Sequence, residues 1–556
     1  MAMKKRGIAL TEFVLTVAIL VLVNIIASQY FFRIDLTGDK RYTIAPATKK
    51  ILKNLDDVVY VEVYLEGEFP AGFKRLQSSI RETLDEFSIY AGNKVQYKFI
   101  DPSAEPDPQR RSRIVSQLAQ RGIQPTNLFA KEKDKKVEKL IFPGALVVYK
   151  EHEVPVQFLK GNKAAGSAEM LNQSVEGVEY ELISAIRQLT SKNKKSIAFV
   201  EGHGEYPVKE VADIYQSLSK FYNVYRLQLS QINDLSDYDA LIIARPQTAY
   251  SEQDKFKLDQ YVINGGKVLF FLDALKIEMD SIGPNGILAV PYPHNLNDLL
   301  FRYGVRVNDN LIQDLNSGFY PMTVGTMGDK PQIQMMNWRY FPLLNTFSDN
   351  PIVKNLEAIY SKFISTIDTV KAKGIIKTPL VYTSKYCKVY SAPVDIQYNE
   401  ARKQPDPNDY NKGPLPVCYL LSGQFTSLYK NRPLPIQGAG FKENNKSSQL
   451  LVFSDADIIR NDIGKDGREY PLGFDRYSGN TFGNKAFVMN AVDYMLDEEG
   501  LINVRAKEIM LRPLDKLKVE EERSQWQIIN LVVPVLLILV FGIIRYYLRK
   551  KKYERY

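Results

Sequence analysis

Two long apolar runs stand at the ends of this 556-residue chain, and each has basic residues on its outer side. Val14–Ala27 is apolar except for Thr16 and Asn24, and it continues through Tyr30, Phe31 and Phe32. Ile528–Ile544 is the second run, with Trp526 before it and Tyr546 and Tyr547 after it. A helix needs about 20 such residues to cross a hydrocarbon core of ~30 Å, and Trp and Tyr favour its interfaces. Lys4, Lys5 and Arg6 precede the first run, and a basic tail from Arg545 to Arg555 follows the second. The positive-inside rule therefore predicts both termini in the cytoplasm. A cleaved leader fits less well, because the apolar run is long for one and Ala27-Ser28-Gln29 is a poor cleavage site. Glu12, at the cytoplasmic boundary, snorkels to the interface or meets a partner's membrane helix. The expected topology is two-pass in a bacterial inner membrane, with a large periplasmic domain between the spans.

Composition narrows the classes that remain. The net charge is +9, and the two termini hold +7 of it, so the long middle is nearly neutral. A nucleic-acid partner requires a basic stripe on the folded domain, which is not what this distribution gives. Cys387 and Cys418 are too few for a disulfide framework, although one bridge between them is compatible with an oxidising compartment. With three histidines (His152, His203 and His294) and no CxxC, we expect no metal site and no cofactor.

Between the anchors the pattern is that of an α/β protein. Arg33–Thr48 is a turn-rich link. Val59, Val61, Val63 and Leu65 alternate as a strand, Phe73, Leu76, Ile80, Leu84 and Phe87 form a helical stripe, and Val95–Ile100 is a second strand. This β-α-β unit suits a thioredoxin-like layer that lacks redox cysteines. Gln109–Gly122 reads as a helix, and the charge run Lys131–Lys139 as a solvated hairpin turn. Strands at Leu140–Tyr149 and Val154–Leu159, a polar Lys160–Ser174 and a helix over Val175–Leu189 follow. The centre is Ser196–Glu205, where Ile197–Val200 is an unbroken apolar run suited to a strand covered on both faces. Strand, Gly-containing turn, helix is how a doubly wound domain begins, and such domains bind ligands at the carboxyl ends of their strands. Val224–Leu229, Ala240–Ala244, Lys267–Leu272 and Leu450–Phe453 read as further strands, and Ser251 as a helix cap. Ile277–Pro435, rich in Tyr, Pro and Asn, reads as a β-rich insertion with a helix near Leu296–Tyr303.

The fold class expected is α/β: a doubly wound (Rossmann- or amidotransferase-like) domain, an N-terminal β-α-β domain, a β-rich insertion and a transmembrane helix at each end. The corresponding boundaries are a cytoplasmic N-terminus at 1–12, a span at 13–32 and an N-terminal extracytoplasmic domain at 33–190. The α/β domain covers 191–275 and 441–502 around an insertion at 276–440. A stalk at 503–526, a span at 527–545 and a basic tail at 546–556 complete the chain.

If the strands are parallel neighbours, Glu201, His203, Glu205, Asp273, Asp455 and Asp457 gather along one sheet edge as candidate ligand-binding residues. One histidine among carboxylates suits cation binding or acid/base work. The same residues equally suit helix caps and backbone satisfaction at turns, with Gly202 and Gly204 supplying positive φ. Motifs for other chemistry fail on context. Gly265-Gly266-Lys267 follows a helix and precedes a strand, the reverse of a phosphate loop, and Val268 stands where Ser or Thr is required. There is no GxSxG elbow and no HExxH. Gly202-His203-Gly204-Glu205 lacks the third glycine of a dinucleotide fingerprint. The domain is similar to glutamine-amidotransferase-like folds, but neither cysteine sits at a strand-to-helix elbow, so we expect no enzyme.

Arg33–Leu52 (RIDLTGDKRYTIAPATKKIL), Ile197–Glu205 (IAFVEGHGE), Asp298–Asp314 (DLLFRYGVRVNDNLIQD) and Asn490–Glu508 (NAVDYMLDEEGLINVRAKE), with both anchors, carry a likeness over nearly the full length. In these stretches the chain resembles the gliding-motility auxiliary (GldG) family of Bacteroidetes, within the auxiliary extracytoplasmic subunits of ABC transporters. The resemblance implies a non-catalytic accessory subunit beside a polytopic ABC permease and, through it, a separate cytoplasmic ATPase, serving gliding and linked protein export. Two rivals remain: an extracytoplasmic saccharide- or peptide-binding protein, and a tethered hydrolase using His203 with a carboxylate.

Overall fold

The computed structural model describes residues 13–24, 43–132, 135–159, 167–191, 194–279, 282, 286–327, 330–354, 356–436, 440–497, 500–501, 504, 518 and 521–553. The chain divides into two units, Met1–Asp35 with Tyr42–Lys507, and Leu36–Arg41 with Glu508–Tyr556. In the first unit, helix α1 (Phe13–Asn24) is apolar but too short on its described residues to cross a bilayer. Positions 25–32 of the expected span lie outside the described residues. In the second unit the helix Arg523–Tyr553 has a stretch, Arg523–Lys551, long and apolar enough to cross a membrane. Most of the expected stalk also lies outside the described residues.

The N-terminal lobe begins with α2 (Pro46–Lys53), β1 (Val59–Val63), α3 (Ala71–Tyr90) and β2 (Val95–Phe99). It continues with α4 (Pro108–Gln120), the hairpin β3 (Thr126–Glu132) and β4 (Lys135–Ile141), β5 (Gly144–Tyr149), β6 (His152–Gln157) and α5 (Ser167–Thr190). The sheet order is β2-β1-β5-β6, with β1 parallel to β2 and antiparallel to β5. Val59, Val61 and Val63 alternate onto a core shared with Leu76, Leu84, Leu182 and Ile186, so α3 and α5 cover one face. The apolar stripes expected of a strand and a helix are thus the surfaces that meet. Two expectations change here. The described part of the charge run Lys131–Lys139 is strand rather than turn: β3 and β4 pair from Thr126↔Ile141 to Glu132↔Lys135. Helix α5 starts at Ser167, eight residues before the expected Val175, so the described part of the polar segment is helical.

The larger lobe is built on β7 (Ser196–Glu201), α6 (Ala212–Ser219), β8 (Asn223–Gln228), β9 (Ala240–Ala244), α7 (Glu252–Ile263) and β10 (Lys267–Phe271). With the strand Ser447–Phe453 these run parallel in the spatial order β8-β7-β9-β10-Ser447–Phe453. Side chains alternate between two cores. Ile197, Phe199, Ile242, Leu269 and Phe453 meet α6 and the later helix α9 (Asn484–Leu496) on one side. Ala198, Leu241, Ile243, Phe270 and Val452 meet α7 and α8 (Asn297–Tyr303) on the other. Burial on both faces is why these strands read as continuous apolar runs rather than alternating ones.

The β-rich region is not a separate appendage. Its strands Pro416–Gln424, Ile375–Tyr382 and Thr346–Phe347 extend the same sheet, each antiparallel to its neighbour, to eight strands in all. The boundary expected at 276–440 therefore cuts through a sheet rather than between domains. Cys387 and Cys418 are both buried and free.

Candidate functional site

Parallel neighbours end on the same side, so β7, β9, β10 and Ser447–Phe453 deliver Glu201, Arg245, Asp273 and Asp455 to one edge. All but Glu201 of the predicted residues fall there into two separate buried groups. In the first, the His203 ring stacks on Tyr250 at 3.6 Å between centroids. Its Nε2 lies 3.4 Å from Asp254 and its Nδ1 3.5 Å from Glu205. Glu205 also accepts from the Tyr250 hydroxyl at 2.6 Å and the His203 amide at 2.7 Å. Burial alone would push the Glu205 carboxyl up, but these hydrogen bonds outweigh it and hold the group below its ordinary range. Gly202 and Gly204 have φ of 114° and 84°, the left-handed region that lets the chain turn here without a Cβ clash. Glu201 stands apart, paired with Arg226 of β8.

The second group centres on three aspartates. Asp273 accepts the Ala456 amide at 2.7 Å, and Asp455 accepts the amides of Asp457 at 2.7 Å and Lys362 at 2.8 Å. Burial first, then the neighbouring Asp457 carboxylate, raises Asp273 to about 7; the same two causes push Asp455 well above its ordinary value. Arg245 answers this charge: its Nε lies 3.5 Å from Asp273, and it donates to Glu278 at 3.2 Å and to the Tyr292 hydroxyl at 3.3 Å. Arg460 lies 2.6 Å from Glu210 and 3.4 Å from Asp457. The two guanidinium carbons sit 5.3 and 5.4 Å from the centroid of the buried Tyr206 ring, a doubly cation-flanked aromatic.

Sequence reasoning missed Tyr206, Arg226, Arg245, Lys362 and Arg460. One signal was available. Arg245 directly precedes Pro246, which restricts the backbone of the residue before it, and the structure holds Arg245 at φ of 58°, uncommon for a residue other than glycine. Lys362 comes from the β-rich region, and no local pattern links it to Asp455. Chemically, the carboxylates are committed to backbone amides, tyrosine hydroxyls and cations. Among the described residues no cluster of His, Cys, Asp or Glu has the geometry to hold a metal ion.

A cavity of about 510 Å³ lies elsewhere, where α2, α5 and α9 meet. Its wall carries Tyr180, Arg187, Tyr222, Asn490, Asp493 and Asp497. Asp493 accepts from Tyr222 at 2.6 Å and Tyr180 at 3.2 Å, and Arg187 lies 3.8 Å from Asp497.

Residues 194–491, more than half of the chain, match the family model described as an ABC-type uncharacterized transport system. The chain belongs to that family. Residues 38–148, the first part of the N-terminal lobe, match a domain of unknown function. An uncharacterized protein of Borreliella burgdorferi is 24% identical over 566 residues, covering 97% of each chain. Among solved structures, the mmIFT52 N-terminal domain overlaps 55% of this chain and 98% of its own at 14% identity, with a TM-score of 0.31. A ThuA-like protein from Parabacteroides merdae overlaps 58% of this chain and 94% of its own at 11% identity, with a TM-score of 0.26. The family is an auxiliary component of an ABC-type transport system, and the apolar helix Arg523–Lys551 associates such a component with a membrane.

Proposed function

We propose that this chain is a non-catalytic accessory subunit of an ABC transporter complex, held to the inner membrane with its bulk in the periplasm. One observation carries the reading: the strand-end groups that a doubly wound enzyme would use lie buried against one another or serve backbone amides. His203 lies between Glu205 and Asp254 beneath Tyr250, and Asp455 serves two backbone amides. The two-faced parallel sheet supports a Rossmann- or amidotransferase-like ancestry for the lobe. The basic flanks of the terminal apolar runs support a two-pass topology with both ends cytoplasmic. The permease is then the direct partner and the ATPase the indirect one. The sequence likeness noted above supports gliding motility and linked export as the process served.

Replacing both terminal apolar runs with unrelated membrane helices tests this. Affinity purification of the full chain from native membranes is expected to recover the permease, and the replaced chain to lose it. Equal recovery from both would remove the docking role of the anchors, and recovery of no permease from either would remove the accessory role itself.

The cavity between α2, α5 and α9 favours a second reading, a small-molecule binder. Its volume falls within the range of ligand sites, and its tyrosines, amide and carboxylates suit a polyhydroxylated ligand. That site differs from the strand-end cleft expected from the sequence.

A further inference from the structure

The helix Arg523–Tyr553 runs without a break from its apolar stretch into the basic residues that follow. At ~1.5 Å per residue, Trp526 stands about 30 Å from Tyr546 and Tyr547, the thickness of a hydrocarbon core. All three rings are exposed, and such aromatic side chains rest at the two interfaces of a bilayer. They set the depth of what lies beyond them. Arg549, Lys550 and Lys551 then fall about 3–8 Å past the tyrosines, inside a headgroup layer roughly 5–8 Å thick. Arg545 stands one residue short of that boundary, and its long side chain reaches the same layer.

The two ends of the span differ in charge. From Arg545 to Tyr556 the sequence has six cationic residues against one acidic side chain, Glu554. Before Trp526, Glu520, Glu521 and Glu522 outnumber Lys518 and Arg523, and the Trp526 indole N–H donates to Glu522 at 3.0 Å. Only the tyrosine end therefore calls for an anionic partner. Successive helical residues turn by ~100°, which puts Arg545, Arg549, Lys550 and Lys551 at about 0, 40, 140 and 240° around the axis, with no gap wider than about 120°. A protein subunit meets one face of a helix and would leave most of such a ring unanswered. A second copy of this chain would bring the same charge. Lipid headgroups surround the helix on every side.

We propose that Arg545, Arg549, Lys550 and Lys551 form a collar that gathers anionic phospholipids around this end of the helix. The guanidiniums suit a bidentate hold on a headgroup phosphate, and the ammonium groups add point charge. A cluster of four or more basic residues directly beside a membrane helix is the pattern that selects acidic headgroups over zwitterionic ones. Membrane association by itself needs only the apolar span; the collar makes the composition of the surrounding lipid matter. This does not depend on the accessory-subunit reading.

The test uses the full chain in phosphatidylcholine vesicles that carry a trace of spin-labelled phosphatidylglycerol or spin-labelled phosphatidylcholine, and reads the fraction of label slowed by the protein. The anionic lipid is expected to be favoured about fivefold in dilute salt, the equivalent of ~1 kcal/mol. At about 1 M salt, where the screening length falls to ~3 Å, the two lipids should approach parity. Arg545→Gln, Arg549→Gln, Lys550→Gln and Lys551→Gln together should remove the preference. Arg545→Lys with Arg549→Lys, which keeps the charge, should retain most of it, and Lys518→Gln with Arg523→Gln at the other end should change nothing. Equal slowing of both lipids by the unsubstituted chain, a preference indifferent to salt, or one that survives the four Gln substitutions in full would each overturn the collar. The first two are read on the unsubstituted chain, so they decide even where the Gln variant fails to insert.

Discussion

Asp273 is a carboxylate whose folded state prefers a proton. Burial and the neighbouring Asp457 raise it from the ordinary 3.8 to about 7, and Asp455 is pushed in the same direction. Between these values the folded chain binds more protons than the unfolded one, so stability falls as pH rises from about 4 to about 7 and levels off above. Glu205 and Asp462 are held low and act oppositely, but their contribution is lost only below the ordinary carboxylate range. The melting temperature of the purified protein is therefore expected to drop between pH 5 and pH 7.5. Asp273→Asn, which keeps an acceptor for the Ala456 amide, should flatten that slope. An unchanged slope would show that Asp273 does not carry the proton.

At the scale of elements, local signals were strongest where one residue type answers one geometric demand. Ser251 caps α7 as its sequence suggests, its hydroxyl accepting the Asp254 amide at 3.1 Å. Ser251→Ala should cost about 1 kcal/mol in a denaturant titration, since it leaves an orphan amide at the helix start. Helix α2 shows the limit of such reading. Its N-cap is Ala45, which has nothing to offer, and Glu179 of α5 accepts the Ala45 amide at 2.7 Å and the Thr48 hydroxyl at 2.8 Å instead. No window around residue 45 contains that carboxylate. The β3–β4 hairpin was misread for a related reason: alternating lysines and acids look like solvated loop until a partner strand is known.

For the molecule as a whole, the return of the chain after α9 matters most. Leu501 and Val504 are buried in the N-terminal core together with Ile44, Leu52 and Ile183, although more than 300 residues separate them in sequence from that lobe. The lobes are thus joined twice, once through the segment after α5 and once through this return. Leu501→Ala should destabilise the N-terminal lobe by about 2–5 kcal/mol. Hydrogen exchange would register the loss at the amides of β1 and β5, with β9 and β10 little changed. Equal loosening of both lobes would mean that they unfold as one cooperative body.

The amino-acid sequence by itself determined the elements whose burial is written locally: the runs of β7, β9 and β10, the stripe of α3 and the apolar helix before the basic tail. A strand covered on both faces must be apolar throughout, and a membrane helix must be apolar for some 20 residues, whatever lies around them. It also placed the acidic residues at strand ends. Only the tertiary structure decided what those residues do, because the Arg245 and Arg460 guanidiniums and the Lys362 backbone amide reach them from three separated stretches. Only the tertiary structure, too, made the β-rich region part of the main sheet, since strand pairing is a contact between residues far apart in sequence and leaves no mark in either strand alone.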